Sequence, residues 1–316
     1  MNIERLFINW KMKSKIKKIK FIISIFLSFL ILYFVFSKFD FGEIKTVFIE
    51  SKKLVLLLSI LLLFSLHPLF VLRWKIGLSL LGFNGKYRDV FMVYLANLPI
   101  AKISPAYSGD FVRALYFKDK IEIGKSMGLV FMEVVADVLA LATAALVGGI
   151  IFGAKLPIII GVSIIISIIC FFLFIDLINN KIPKNFKNKI DNFFTIFSLI
   201  NKNQKVKIRF IALTLLMIFI LLLYIKISFL AFGENVPILM IFAYYPVVNF
   251  ISLAPVTLWG IGVRETAMVY FFGKLISENS ALAVGLTFSS MGAVFFPLLS
   301  LPFFILMFNK IKLLNN

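Results

Sequence analysis

The chain contains a single cysteine and a single histidine in 316 residues. Cys170 alone forms no intramolecular disulfide and no cysteine-based metal cluster, and His67 alone builds no histidine-rich metal site. No G-x-S-x-G elbow and no P-loop occur. The pair Gly260 and Gly262 lacks the third glycine, the preceding strand and the βαβ unit of a dinucleotide fingerprint. Neither cofactor nor metal is expected. Acidic side chains are also scarce: 15 Asp and Glu face 34 Lys and Arg, a net charge of +19. Such an excess raises the question of nucleic acid. The cations lie in tails and loops between apolar runs, however, with no soluble binding module around them. Positive loops beside a membrane explain them instead, and would attract anionic lipid headgroups.

Apolar residues are abundant, at 61% against about 45–50% in a soluble domain. That leaves too little polar surface to cover a water-soluble globule. Clear runs occupy 21–37, 54–72, 129–152, 157–175, 210–232 and 281–308. The run from Leu54 to Leu72 spans about 28 Å as a helix, enough for ~30 Å of hydrocarbon. The many phenylalanines read as lipid-facing bulk. His67, followed by Pro68, reads as the neighbour of a helix kink rather than a proton relay. The first run follows a basic stretch, as in a signal peptide, but no small-x-small cleavage site follows it. A retained first span with a cytoplasmic N-terminus is expected. The division is then a basic tail over 1–20, one membrane domain over 21–308, and a short cytoplasmic tail over 309–316.

Loop charge supplies an orientation. The N-terminal tail is basic and inside. Alternation puts the mixed 38–53 loop outside. The loop with Arg73, Lys75, Lys86 and Arg88 is inside, as are 113–125, the lysine-rich 176–209 loop and the C-terminus. Two apolar stretches do not fit simple alternation: 90–108, broken by Pro99 and Pro105, and 238–258, broken by Pro246 and Pro255. The topology closes if each is a re-entrant hairpin, dipping from opposite faces. Full spans paired with a further short crossing are the alternative. Broken backbone at membrane depth needs protein or a watery cavity around it. Paired broken segments of opposite orientation are the pattern of an inverted-repeat transporter.

Three constellations could carry chemistry. In Ser104-Pro105-Ala106-Tyr107-Ser108-Gly109-Asp110-Phe111-Val112-Arg113, Pro105 and Gly109 permit a turn at a tip. Asp110 suits the positive start of a helix, and Arg113 falls on the same face. An ordinary capped loop with a surface ion pair, worth under ~1 kcal/mol, would look the same. Glu133 and Asp137 share a helical face inside a span, where a carboxylate costs a few kcal/mol unless a cavity or cation meets it. Glu133, nearer the cytoplasmic end, is the one more easily wetted by headgroups. Arg113 and Arg264 are their natural partners. The third group is Trp259-Gly260-Ile261-Gly262-Val263-Arg264-Glu265, after Pro255. Its glycines allow close backbone approach, and its arginine could hold a phosphate bidentately. A glycine-lined helix crossing with a local Arg264–Glu265 pair is the plainer reading.

With these residues in order, the chain resembles the flippase-like family built on the transmembrane region of lysyl-phosphatidylglycerol synthase. That family carries P-x-x-x-G-E-x-x-R, then E-R-x-x-D on a span, then G-G-x-G-x-R-E. Here the first is Pro105, Gly109, Asp110 and Arg113, with Asp for Glu. The second is Glu133 and Asp137, with Val134 in place of the arginine. The third is Gly260, Gly262, Arg264 and Glu265, with Trp259 for the first glycine. The resemblance implies movement of a lipid-linked headgroup between leaflets, or support of a glycolipid pathway. The synthase's aminoacyl transfer belongs to a separate soluble domain. None is expected here, because the sequence stops at Asn316 after its last apolar run.

The expected fold is an all-α polytopic membrane protein of about six spans and two oppositely oriented re-entrant hairpins, in the plasma (inner) membrane. The expected partner is a membrane phospholipid or lipid-linked sugar; the oligomeric state is left open. Arg113 and Arg264 would grip its phosphate, while Asp110, Glu133, Asp137 and Glu265 balance the cations. A membrane-embedded glycosyl- or acyl-transferase, with Asp137 or Glu133 as base, is the second reading. A non-catalytic subunit of envelope-polysaccharide assembly is the third. The topology is checked by cysteine labelling in a Cys170-free background. A cysteine placed within 185–200 should stay unlabelled by an impermeant reagent outside intact cells, and labelling there would overturn the orientation.

Overall fold

A computed structural model describes residues 41–104, 108–179, 184–254, 257 and 260–314. The basic tail over 1–20, the first run at 21–37, and the tip prolines Pro105 and Pro255 lie outside the described residues. The chain is an all-α polytopic membrane protein. Five of its helices are long and apolar enough to cross a bilayer.

A short helix, α1 (Phe41–Glu50), leads into α2 (Lys53–Leu80), which carries Pro68 in its interior. The missing N–H at Pro68 leaves the Phe64 carbonyl without its usual donor. The first broken stretch is α3 (Tyr87–Ile103) followed by a 3₁₀ segment (Ser108–Phe117). Ten residues is long for a 3₁₀ helix, whose hydrogen bonds are poorer than those of an α-helix. Then come α4 (Ile123–Phe152), α5 (Lys155–Asn179), α6 (Lys184–Lys202) and α7 (Gln204–Ala231). The second broken stretch is α8 (Ile238–Ser252) and α9 (Val263–Phe272). Finally α10 (Glu278–Ser289) passes through a π-helical turn (Ser290–Phe295) into α11 (Phe296–Leu314).

Both broken stretches are hairpins. The 3₁₀ segment folds back along α3, and α9 folds back along α8. At ~1.5 Å per residue, α3 and α8 reach about 25 and 22 Å, short of a full crossing. The Lys52 amide donates to the Ala231 carbonyl at 2.8 Å, tying the start of α2 to the end of α7. The two helices therefore run antiparallel. One hairpin follows the end of α2 and the other follows the end of α7, so they enter from opposite ends of this pair. Packing repeats the relation. Span, hairpin, span (α2, α3 with the 3₁₀ segment, α4) matches α7, α8 with α9, and α10–α11. Across the halves α2 packs on α7, α3 on α11, and α8 on α4. Exchanging the halves maps each of these contacts onto another, as an inverted repeat requires.

The outer surface is apolar. Along α5, Ile159, Ile166, Ile169, Leu173 and Phe174 are all more than half exposed. Water would not tolerate such a face, and hydrocarbon does. Inside, small residues let helices approach closely. A Cβ at Gly148 would lie 2.5 Å from the Ala243 amide nitrogen on α8.

The 176–209 segment departs from the loop expected of it. Charge counting identified the lysines but missed α6, whose Ile196 is fully buried and Ile200 nearly so. Phe193, Phe194 and Phe197 gather around Phe131 of α4. The Asn192 side chain also donates to Glu122 at the head of α4. The amphipathic helix is docked because its apolar stripe falls on α4 while Lys189 and Lys202 stay exposed. A Cβ at Gly128 would overlap the Phe193 carbonyl. Gly128→Leu should therefore undock α6 and cost about 1–3 kcal/mol by overpacking. Thermal unfolding in detergent reads the loss, and faster tryptic cleavage at Lys187 or Lys189 reads the undocking.

Candidate functional site

A buried ionic network ties four elements together. Arg73 projects from α2 and meets Asp137 of α4 bidentately, with Nη1–Oδ1 at 2.5 Å and Nη2–Oδ2 at 2.9 Å. Its Nε lies 3.4 Å from Glu133 Oε1, and its Nη1 donates to Thr214 Oγ1 of α7 at 2.9 Å. The other Glu133 oxygen accepts from Arg113 Nη2 of the 3₁₀ segment at 2.7 Å. Aromatic faces complete the enclosure. Arg113 lies over Trp74 at 4.8 Å, and Arg73 lies over Phe210 at 5.4 Å.

Three expectations are corrected here. Arg73 was counted as a cytoplasmic loop cation, yet it is 1% exposed inside α2. Hydropathy ended the span at Leu72 because an arginine interrupts it, but the helix runs eight residues further to Leu80. Asp137 is paired with Arg73 rather than with Arg113 or Arg264. Burial does not follow position along the span. Glu133 is 2% exposed, while the Asp137 side chain keeps 24% of its surface. Four residues along the helix placed Asp137 deeper in the membrane, but enclosure by α2, α7 and the 3₁₀ segment decides the burial.

Arg264 sits in a second network on the other hairpin. Its Nη1 donates to Ser289 Oγ of α10 at 3.1 Å, and Ser289 in turn donates to Glu265 Oε1 at 2.5 Å. The other Glu265 oxygen accepts the Gly262 amide at 2.5 Å, which caps the start of α9. The local Arg264–Glu265 pair is thus bridged by a serine hydroxyl. The guanidinium lies 4.7 Å over the Phe288 ring.

The tip glycines have matching roles. A Cβ at Gly109 would sit 2.6 Å from the Ile100 carbonyl near the end of α3. A Cβ at Gly260 would sit 2.5 Å from the Ser252 carbonyl at the end of α8. Gly260 also has φ +73° and Gly262 φ +85°, conformations open to glycine at little cost. Each glycine lets its chain return directly against the helix it has just left.

Between the two returns lies a cavity of about 200 Å³. Lys102, Ser104 and Asp110 come from the first hairpin, and Asn249, Ser252, Thr257, Gly260 and Arg264 from the second. Helix α2 adds His67, whose Nδ1 lies 2.9 Å from Tyr94 Oη, and Gly292 adds the π-helical turn. The six charged residues singled out by sequence thus divide. Asp110 and Arg264 line the cavity, and Glu265 holds Ser289 beside it. Arg113, Glu133 and Asp137 form the buried network instead. Asp110 and Arg113 are three apart on one segment but do not pair, because Arg113 is committed to Glu133.

Comparison with known proteins supplies the family. The model of the lysylphosphatidylglycerol synthase transmembrane region matches residues 21–300. The chain belongs to that family. A UPF0104 membrane protein of Methanocaldococcus jannaschii is 29% identical over 39% of this chain, a match spanning only 37% of the relative. Another, from Methanothermobacter thermautotrophicus, is 21% identical over 73% of this chain and 78% of its own. As a member of a membrane family tied by name to a lipid synthase, the chain has a membrane, lipid-related role. Where Val134 departs from the motif of the resemblance, Arg73 brings a guanidinium to Glu133 and Asp137 from α2.

Sequence reading missed Arg73 and Lys102. Arg73 had a signal: an arginine adjoining an apolar run that continues through Trp74, Ile76 and Leu78. Removing one partner of a buried pair leaves the other uncompensated, at about 3–5 kcal/mol. Arg73→Met should lose stability of that order, measured by thermal unfolding in detergent. Arg73→Met combined with Asp137→Leu should lose less than Arg73→Met alone, because the orphaned carboxylate goes with its partner.

Proposed function

We propose that this protein is a flippase-like lipid transporter of the plasma membrane. It holds a phosphate-bearing (glyco)lipid headgroup in the cavity between its hairpins. Both termini and α6 face the cytoplasm, and the basic cytoplasmic loops rest on anionic lipid. One observation carries the reading: a cation-bearing cavity, enclosed by apolar helices, takes walls from both oppositely entering hairpins. Substrate and ion sites of inverted-repeat transporters are built at such a junction. Its volume is below the ~300–1,000 Å³ of pockets for drug-sized ligands. That suits a headgroup whose acyl chains stay in lipid better than a sugar nucleotide. The transferase reading loses support from the same geometry. Glu133 and Asp137, its would-be bases, have both oxygens engaged by guanidinium groups and are not among the cavity walls.

In the proposed cycle the headgroup phosphate meets Arg264 and competes with its serine contact. Rearrangement of the two hairpins then exposes the cavity to one leaflet and afterwards to the other. The arginine's planar fork matters because a lysine cannot reproduce bidentate contact with phosphate. Arg264→Lys should insert and fold normally yet lower lipid translocation about tenfold, the factor equivalent to ~1.4 kcal/mol of binding. Arg264→Ala should lose translocation and also about 1–3 kcal/mol of stability, because Ser289 loses a donor and Glu265 a neighbouring cation. A leaflet-accessibility assay in proteoliposomes measures both. If both variants translocate as well as active wild type, Arg264 is structural and the reading fails.

A further inference from the structure

We infer that the outer face of the second hairpin is a groove for one acyl chain of a membrane phospholipid. This deepens the headgroup reading above and rests on it for the place of the headgroup, since it seats a chain that stays in lipid while the headgroup enters the cavity.

Helix α9 has two faces of different chemistry. On one, Arg264, Glu265, Met268 and Phe272 are buried, and Arg264 lines the cavity. On the other, Val263, Thr266, Ala267, Tyr270 and Phe271 follow the i, i+3, i+4, i+7, i+8 spacing of a single stripe. With Ile251 of α8 they line a groove of about 380 Å³. The cause is local. The arms of the hairpin meet near the base, where the Phe271 and Tyr244 rings lie 5.5 Å apart, and near the tip, where Gly260 returns against Ser252. Between these contacts stand Thr266 and Ala267, whose side chains are too short to fill the space.

The middle of the groove asks nothing polar of its occupant. The Thr266 hydroxyl donates to its own helix, to the Gly262 carbonyl at 2.8 Å. At the base end the Tyr270 ring is 60% exposed and carries the Lys274 ammonium 5.1 Å from its centre. A tyrosine and a lysine at the end of an apolar stretch mark headgroup level in a bilayer. Glu234 and Glu278 lie at the same end, so the lysine marks a depth rather than holding a phosphate. From Tyr270 the groove runs inward for about 10 Å, at ~1.5 Å per residue, to Val263 beside Arg264. At that depth the bilayer offers hydrocarbon, which meets an apolar wall without unpaired groups and gains dispersion contacts by filling it. Close packing of a second copy's helix would need a stripe of small residues, and bulky Tyr270 and Phe271 stand in this one. The outer face of α9 thus holds the chain, and its inner face holds the arginine for the phosphate.

The test is photolabelling of the full chain in proteoliposomes, with a phosphatidic acid carrying a diazirine midway along one acyl chain. Labelled peptides are quantified by mass spectrometry. Label per residue over 265–274 should exceed that over the exposed α5 face by about fivefold, a preference of ~1 kcal/mol. Ala267→Phe fills the middle of the groove and should lower that label to the α5 level. If Ala267→Phe does not fold, Thr266→Phe at an exposed position applies the same test. Equal labelling of α9 and α5 in wild type overturns the inference, and so does label unaltered by a folded groove-filling variant. A disulfide between two copies of Tyr270→Cys, in a Cys170-free background, gives the groove to a second copy and overturns it too. Loss of translocation in the Arg264 variants without preferential groove label removes the groove and keeps the headgroup reading. Preferential groove label in a protein whose Arg264 variants translocate like wild type keeps the chain site and removes the headgroup reading.

Discussion

The pairing of Arg73 with Asp137 and Glu133 is the constraint on which the rest of the assembly depends. A guanidinium in the interior of a membrane bundle is tolerable only if its charge and its donors are met there. Meeting them requires α2, α4, α7 and the 3₁₀ segment at one place, because each supplies a side chain to the network. The position of the first hairpin follows. Arg113 must reach Glu133, so the 3₁₀ segment is held against α4, and its other face is left to present Asp110 to the cavity.

The two hairpins reach similar geometry by different means. The first is anchored by an ion pair between elements, Arg113 to Glu133. The second is anchored locally, by Glu265 capping α9 and by the Ser289 bridge to Arg264. This asymmetry bears on function. Arg113 already has a full carboxylate partner, whereas the hydrogen bond from Arg264 to Ser289 goes to a neutral hydroxyl. Arg264 lines the cavity and Arg113 does not, so a headgroup phosphate held there would meet the second arginine. The π-helical turn between α10 and α11 lies against the same cavity through Gly292. Such turns recur at functional sites because they break the regular ladder where a wall must be shaped.

The candidate site was partly legible in the residues. Pro/Gly breaks followed by charged residues pointed to Asp110 and Arg264, and both line the cavity. Glu133 and Asp137 stood out as carboxylates in an apolar run, and they are buried against cations. Their partners were only half legible. Arg113 lies on the neighbouring segment, whereas Arg73 is 60 residues from Glu133 and was hidden by the habit of ending a span at its first charge. Lys102 was hidden for the opposite reason. One lysine at a helix end reads as solvated until a second segment closes over it.

Sequence alone determined the membrane class, the approximate spans and the two breaks. These depend on local quantities: how many consecutive residues are apolar, and where proline and glycine interrupt them. It could not determine which charges would meet, since that depends on which helices pack together. Tertiary structure decided that α2 and α7 run antiparallel, that α6 docks on α4 rather than trailing as a loop, and that both hairpins open onto one cavity. The physical reason is desolvation. Away from water each buried charge must find a partner from another helix, and that search is resolved only when all the helices are in place.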